Sequence, residues 1–326
     1  MNFKHRLGKP SKYHFPDIMV AGCGVIDFNQ DGLMDLILVN SGDLEEVFSG
    51  QVRGREENQN RIFRQTDQGT FVDVTSQVKL SGYGYGCGVA VGDVNNDGFD
   101  DIYFANFGDD RLLLNLNGES FKDITIESEV QNPSWSSSAS FIDFDLDGKL
   151  DLFVTNYVSY IAETNCANAG DAEDFCNPRV FKKTVDKLFR NVSDDQGIRF
   201  QDVTSEMGIA GKSGPGLGVI SRDFNHDGYP DIYVANDGWE NFLWINQEGK
   251  TFSEQGGQLG CAMSLKGSAQ AGMGVAADDL DHNGTLDIVV THLNGETNAA
   301  YLGERSRGEA LFFTESGSTQ GIQKIS

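Results

Sequence analysis

The nine residues from Asp223 to Asp231, Asp-Phe-Asn-His-Asp-Gly-Tyr-Pro-Asp, constrain this chain more than any other stretch. Oxygen-bearing side chains fall at positions 1, 3, 5 and 9, glycine at position 6, and an apolar run, Ile232-Tyr233-Val234, follows at once. The same pattern recurs at 27–35, 93–101, 143–151 and 279–287. Five occurrences make this a repeat protein, each repeat a supersecondary unit that needs its neighbours to bury its apolar face.

The second repeat shows the unit most plainly. Residues 88–92, 102–106, 111–115 and 120–125 read as four short strands separated by turn residues. Similar runs surround the other loops, and loop starts lie 66, 50, 80 and 56 residues apart. A four-stranded unit of about 50 residues is the size of a propeller blade. The expectation is an all-β fold: one β-propeller domain of four-stranded blades over 1–326, with five full repeats. A polar insert near residue 50 and an insertion at about 157–186 explain the longer spacings. Residues 1–20 read as the tail of an earlier element leading into a strand at 19–21. Helical periodicity is nearly absent, and only 171–187 has room for a helical turn.

Composition narrows the partners. The chain carries 49 acidic and 25 basic residues, a formal charge of −24. Nucleic acid and anionic membranes need a basic patch, so neither is expected as the main partner. No apolar run is long enough for a transmembrane helix, so membrane insertion is not expected. The first ten residues lack the apolar core of a signal peptide, so an export leader is expected upstream or trimmed away. Of five cysteines, only Cys166 and Cys176 are close in sequence, in a turn-rich segment, and a local disulfide is expected there. Cys23, Cys87 and Cys261 are expected as buried free thiols.

The loops have the chemistry of a hard-cation site. Calcium takes six to eight oxygens from carboxylates, amides and backbone carbonyls. In the second repeat these are the side chains of Asp93, Asn95, Asp97 and Asp101 and the backbone oxygen of Phe99, with Gly98 supplying the positive-φ turn. The same roles fall to Asp27, Asn29, Asp31, Asp35 and Leu33 in the first repeat. They fall to Asp143, Asp145, Asp147, Asp151 and Lys149 in the third, and to Asp223, Asn225, Asp227, Asp231 and Tyr229 in the fourth. In the fifth they fall to Asp279, Asp281, Asn283, Asp287 and Thr285. The alternative is a set of acidic turns without metal, since Asp, Asn and Gly are ordinary turn formers. Carboxylates crowded into nine residues repel, however, by about 1 kcal/mol per contact in water and more where partly buried. About five bound calcium ions, one per loop, are therefore expected; magnesium fits less well because it keeps its waters. An EF-hand would need a glutamate at position 12, where Leu38, Phe104 and Val154 stand.

These residues resemble the FG-GAP/VCBS repeats of integrin α-subunit propellers and of many secreted bacterial proteins, and within that group the cartilage acidic protein (ASPIC/UnbV-associated) family. The resemblance rests on the loop-plus-strand unit, a recurring Phe-x-Asp-Val/Ile-Thr strand, Gly272-Met273-Gly274-Val275, the segment from His292 to Asn298, and the Cys166…Cys176 insertion. It implies a seven-bladed, calcium-bearing propeller exported from the cytoplasm to the extracellular space or periplasm. Members of that family continue with further repeats and a C-terminal domain. Five repeats are therefore expected to make only part of a ring, or one closed by unusual means.

No catalytic constellation stands out. There is no Gly-x-Ser-x-Gly elbow, and the glycine-rich 82–88 lacks the Lys-Ser/Thr of a phosphate loop. The favoured reading is a non-enzymatic binding or adhesion scaffold presenting face loops to a protein or glycan. One alternative is a polysaccharide-active enzyme, a lyase or glycosidase, or its carbohydrate-binding module, with Tyr83, Tyr85, Trp135 and Trp239 as aromatics able to stack on sugars. The other is a purely structural segment of a larger secreted protein.

Overall fold

The Phe-x-Asp-Val/Ile-Thr motif shows how the first three blades are closed. In the first three blades the aspartate (Asp73, Asp123 or Asp202) accepts from the backbone N–H of the threonine two residues on. The threonine hydroxyl in turn accepts from the third strand, at Ile62, Leu112 or Leu188. The fourth strand thus ends on a side-chain pairing that stands in for a backbone ladder bond.

The computed structural model describes residues 3–6, 13–19, 21–50, 59–80, 84–168, 170–305 and 310–316. It contains five four-stranded antiparallel sheets, each in simple chain order. Blade one is Cys23–Ile26, Asp35–Leu38, Arg61–Gln65 and Phe71–Asp73; blade two is Tyr85–Gly92, Asp101–Phe107, Arg111–Leu116 and Ser120–Asp123. Blade three is Ser136–Ile142, Asp151–Asn156, Lys187–Asn191 and Phe200–Asp202. Blade four is Gly216–Arg222, Asp231–Asn236, Phe242–Asn246 and Phe252–Glu254. Blade five is Gly272–Asp278, Asp287–His292, Ala299–Arg305 and Leu311–Glu315. The fold is all-β and propeller-like, as the repeat pattern predicts.

Apolar faces meet between consecutive blades. Ile26, Ile37 and Ile62 of blade one pack with Ile102, Phe104 and Leu113 of blade two. Corresponding clusters join blades two and three, three and four, and four and five. Among the described residues no such cluster joins blade five to blade one. The first strands pack on one another in succession around a shared axis. Their glycines serve that approach. A Cβ on Gly88 would lie 2.6 Å from the Ser137 carbonyl oxygen, and one on Gly218 would lie 2.3 Å from that of Met273. The first strand of blade two begins at Tyr85, three residues before the expected 88–92, and its Gly88 permits close backbone contact with the next blade.

Other expectations need correcting. The N-terminal strand at 19–21 is absent: Phe15–Ile18 is a 3-10 turn, Met19 and Ala21 are not in a strand, and Val20 lies outside the described residues. Helical turns occur at Leu44–Phe48, where Asp43 caps Glu45 N–H, and at Gly256–Leu259. Within 171–187 the only helical structure is a 3-10 turn, Pro178–Val180. Cys87 and Cys261 are buried, whereas Cys23 is exposed: a Cβ on its neighbours Gly22 or Gly24 would meet blade two, so by strand alternation Cys23 points away from it.

Gly218→Ala is expected to destabilise the protein by about 1–3 kcal/mol, because the atom its Cβ meets is backbone and cannot move aside. Gly274→Ala, whose nearest neighbour is the Thr291 hydroxyl at 3.0 Å, is expected to cost less. Denaturant unfolding of the two variants measures this, and equal losses would refute the close-approach explanation.

Candidate functional site

All five acidic loops share one internal wiring. The position-1 aspartate accepts from the N–H groups of positions 5 and 6, as Asp93 does from Asp97 at 3.1 Å and Gly98 at 2.7 Å. The position-5 side chain accepts from the N–H of position 7, at Leu33, Phe99, Lys149, Tyr229 and Thr285. Gly32, Gly98, Gly148, Gly228 and Gly284 at position 6 all have φ between 81° and 93°. The residue at position 4 is also left-handed, in every loop and without glycine: Gln30, Asn96, Leu146, His226 and His282 have φ between 56° and 62°. The glycine was legible in the sequence and this second left-handed position was not.

Position 9 does more than the sequence reading assigned to it. Asp35, Asp101, Asp151, Asp231 and Asp287 are almost fully buried. One oxygen of each accepts from the backbone of the third strand, at Gln65, Asn115, Asn191, Asn246 and Gly303, over 2.7–2.8 Å. In the last four the second oxygen accepts from the N–H of loop position 2. Burial pushes Asp101 and Asp231 up to about 7, Asp151 up to about 8 and Asp35 up to about 6, against the pull of these N–H groups.

The loops fit a hard cation. In blades three and five, carboxylate oxygens of positions 1, 3 and 9 (Asp143, Asp145, Asp151; Asp279, Asp281, Asp287) lie within 4.8 Å of one another. Asn29, Asn95 and Asn225 put an amide at position 3 in the other loops. Asp145 has a buried oxygen, Oδ1, without a hydrogen-bond partner. A carboxylate offers about four lone-pair directions, so position 9 keeps acceptor capacity beyond its two N–H groups. The donors are all oxygen, as calcium requires. Blade three is set apart by Arg190, whose Nε lies 3.1 Å from Asp145 Oδ2 without hydrogen-bond alignment.

A different kind of site lies at the opposite end of the first strands. There each second strand ends on a side-chain latch. The N–H groups of Asn40, Asn106, Asn156, Asn236 and His292 donate to Asn60, Asp110, Asp186, Asn241 and Asn298. The 157–186 insertion is spliced into blade three between Asn156 and its partner Asp186, so the latch survives it. Two small strand pairs and the Cys166–Cys176 disulfide, with Cα atoms 5.2 Å apart, shape the insertion. Phe15, Trp135, Tyr157 and Phe181 form an aromatic core that fastens it to the N-terminal turn.

This cap sits over a cavity of about 950 Å³ lined by the first strands of all five blades. Its polar lining includes Asn177, Arg179, Asp237 and Glu296. Tyr157 donates its hydroxyl to Asp237, and Arg179 donates to the Gly238 carbonyl at 3.0 Å. Of the aromatics considered for sugar stacking, Tyr85 and Trp135 are buried and Tyr83 lies outside the described residues. Trp239 is half-buried, with Arg179 and Lys183 5.4 Å and 5.7 Å from its ring centre. Burial pushes the Cys87 thiol up to about 12, which disfavours its thiolate.

The pattern of the FG-GAP-like repeat matches residues 27–104, 93–154 and 223–290, more than half of the chain. The chain belongs to the FG-GAP-like repeat family. This FG-GAP-like protein is 25% identical over 297 residues to cartilage acidic protein 1 of Xenopus tropicalis, covering 84% of this chain and 41% of the relative. It is 24% identical over 242 residues to the Mus musculus protein of the same name, covering 70% and 34%. The chain thus spans less than half the length of these curated relatives. Among solved structures it is similar to an Agrocybe aegerita lectin specific for non-reducing terminal N-acetylglucosamine, at 15% identity and TM-score 0.47, covering 92% of this chain and 68% of the lectin. It is also similar to the V. cholerae biofilm matrix protein Bap1, at 12% identity and TM-score 0.45, covering 92% and 40%.

Asp186 gives the latches a pH signature. Burial raises its carboxyl from the ordinary 3.8 to about 7, partly offset by the Asn156 N–H. The folded state therefore holds a proton that the unfolded chain gives up, and this stabilisation is lost as pH rises from about 4 through about 7. Asparagine fills the equivalent place in blades one, four and five and does not titrate. Asp186→Asn is thus expected to gain in melting temperature over the wild type across that window and hold the gain above it. Melting curves that keep a constant offset at every pH would contradict this.

Proposed function

We propose that this protein is an exported, calcium-stabilised propeller domain that works as a non-enzymatic scaffold, holding a protein or glycan ligand at its capped end. The observation that carries the cation half is the convergence of the carboxylates at positions 1, 3 and 9, with a buried Asp145 oxygen left without a partner. Side chains at positions 1, 3, 5 and 9 and the carbonyl at position 7 would hold the ion in each loop. The ion supplies charge neutralisation: it offsets the repulsion among these carboxylates and the burial cost of position 9. Binding to the folded state alone adds directly to folding free energy.

The ligand half rests on the cap. A cavity with a mixed apolar and polar lining, walled by irregular segments, is where a repeat fold places recognition. The Cys166–Cys176 disulfide supports an oxidising compartment, and hence export.

Calcium titration by calorimetry is expected to give about five sites, and chelator is expected to lower the melting temperature steeply. An unmoved melting curve would defeat the structural-calcium reading. A glycan array probed in calcium tests the ligand half, with Arg179→Ala as the comparison. Signal that survives Arg179→Ala unchanged would move recognition away from the cap.

A further inference from the structure

Consecutive loops are joined to one another, not only folded alike. The position-4 side chain of loop one, Gln30, donates to the carbonyl of Gly98 at position 6 of loop two. Asn96, at position 4 of loop two, donates to the carbonyl of Gly148 at position 6 of loop three at 2.8 Å. There the series stops. Position 4 of loop three is Leu146, which has no amide, and among the described hydrogen bonds His226 and His282 donate to no other loop.

A second, buried set of links runs beneath. Asn115 Nδ2 donates to the Phe28 carbonyl of loop one, Asn191 to that of Val94 in loop two, and Asn246 to that of Phe144 in loop three, over 2.8–2.9 Å. The backbone N–H of each of these asparagines is held by the position-9 aspartate of its own blade. Gly303 stands at the corresponding place in blade five, where Arg305 instead donates to the Asn225 carbonyl.

We infer that the cation sites of loops one, two and three fill as a coupled unit, with the exposed amides of Gln30 and Asn96 transmitting order from each loop to the next. This rests on the cation reading given above. Position 4 lies between two ligand positions, so whatever fixes its left-handed backbone fixes the side chains on either side. The position-6 carbonyl belongs to the turn that the ion closes. An ion in loop two therefore orients the acceptor that holds Gln30, and an ion in loop three the acceptor that holds Asn96. Each occupied loop lowers the ordering cost of the loop before it, and by reciprocity the benefit runs both ways.

The test uses calorimetric calcium titration of the full chain and three glycine or asparagine variants at exposed position-4 sites. Asn96→Gly removes the amide but tolerates the left-handed backbone. It is expected to weaken binding at loops two and three about fivefold, the weight of one hydrogen bond, with loop one following loop two through Gln30, while the sites of loops four and five stay as they were. His226→Gly removes a side chain that joins no other loop and should leave the isotherm unchanged. Leu146→Asn supplies the missing amide opposite Gly228 of loop four and should tighten binding by a similar factor. If calcium still binds at about five sites and Asn96→Gly superimposes on the wild type, or matches His226→Gly, the coupling is overturned while the cation reading stands. No binding heat in any of the four proteins overturns both.

Discussion

The structure depends most on the buried carboxylate at position 9. It sits where the loop becomes the second strand, accepts from the third strand, and in four blades also accepts from the second residue of its own loop. In those four blades one side chain therefore fastens three segments. The arrangement carries a cost, because a desolvated carboxylate next to other carboxylates disfavours its charged form. On the proposed cation reading an ion would offset that cost; the N–H network already offsets part of it.

The period, the four-strand unit, the loop boundaries and the position-6 glycine were all legible in the sequence, because each depends on local spacing. What was hidden depends on register and on neighbours. Asp101 reads as a ligand from its place in the loop; that Asn115 donates to it follows only once strands two and three are paired. Gly88 and Gly218 read as the first residues of strands, and nothing local reveals that each faces the backbone carbonyl of the next blade. Cys23 was expected to be buried like Cys87, but the two lie in different surroundings although both sit on first strands. The turn at Leu44–Phe48 carries a local signal, Asp43 followed by Glu45 and Glu46 at a helix start.

The two ends of the molecule divide their labour. At the loop end every blade repeats the same residues in the same roles, and repetition suits a structural task. At the other end only the latch repeats, and the differences collect there: the disulfide-bearing insertion, the N-terminal turn, the aromatic core between them, and Arg179 against Trp239. Selective recognition needs groups that are not copied from blade to blade, so the irregular end suits the recognition role proposed for it.

The ends are joined by the second strands. In each blade five residues separate the position-9 aspartate from the residue whose N–H closes the latch, as from Asp151 to Asn156 and from Asp231 to Asn236. That is about 17 Å of extended chain. In blades three and four all six residues of this strand are buried. A strand packed on both faces and held by side chains at each end has little freedom to shift. Tyr157 follows directly on Asn156, and Asp237 on Asn236, and these two side chains bond to each other under the cap. The groups that shape the cavity are thus the next residues along from strands whose far ends lie in the acidic loops.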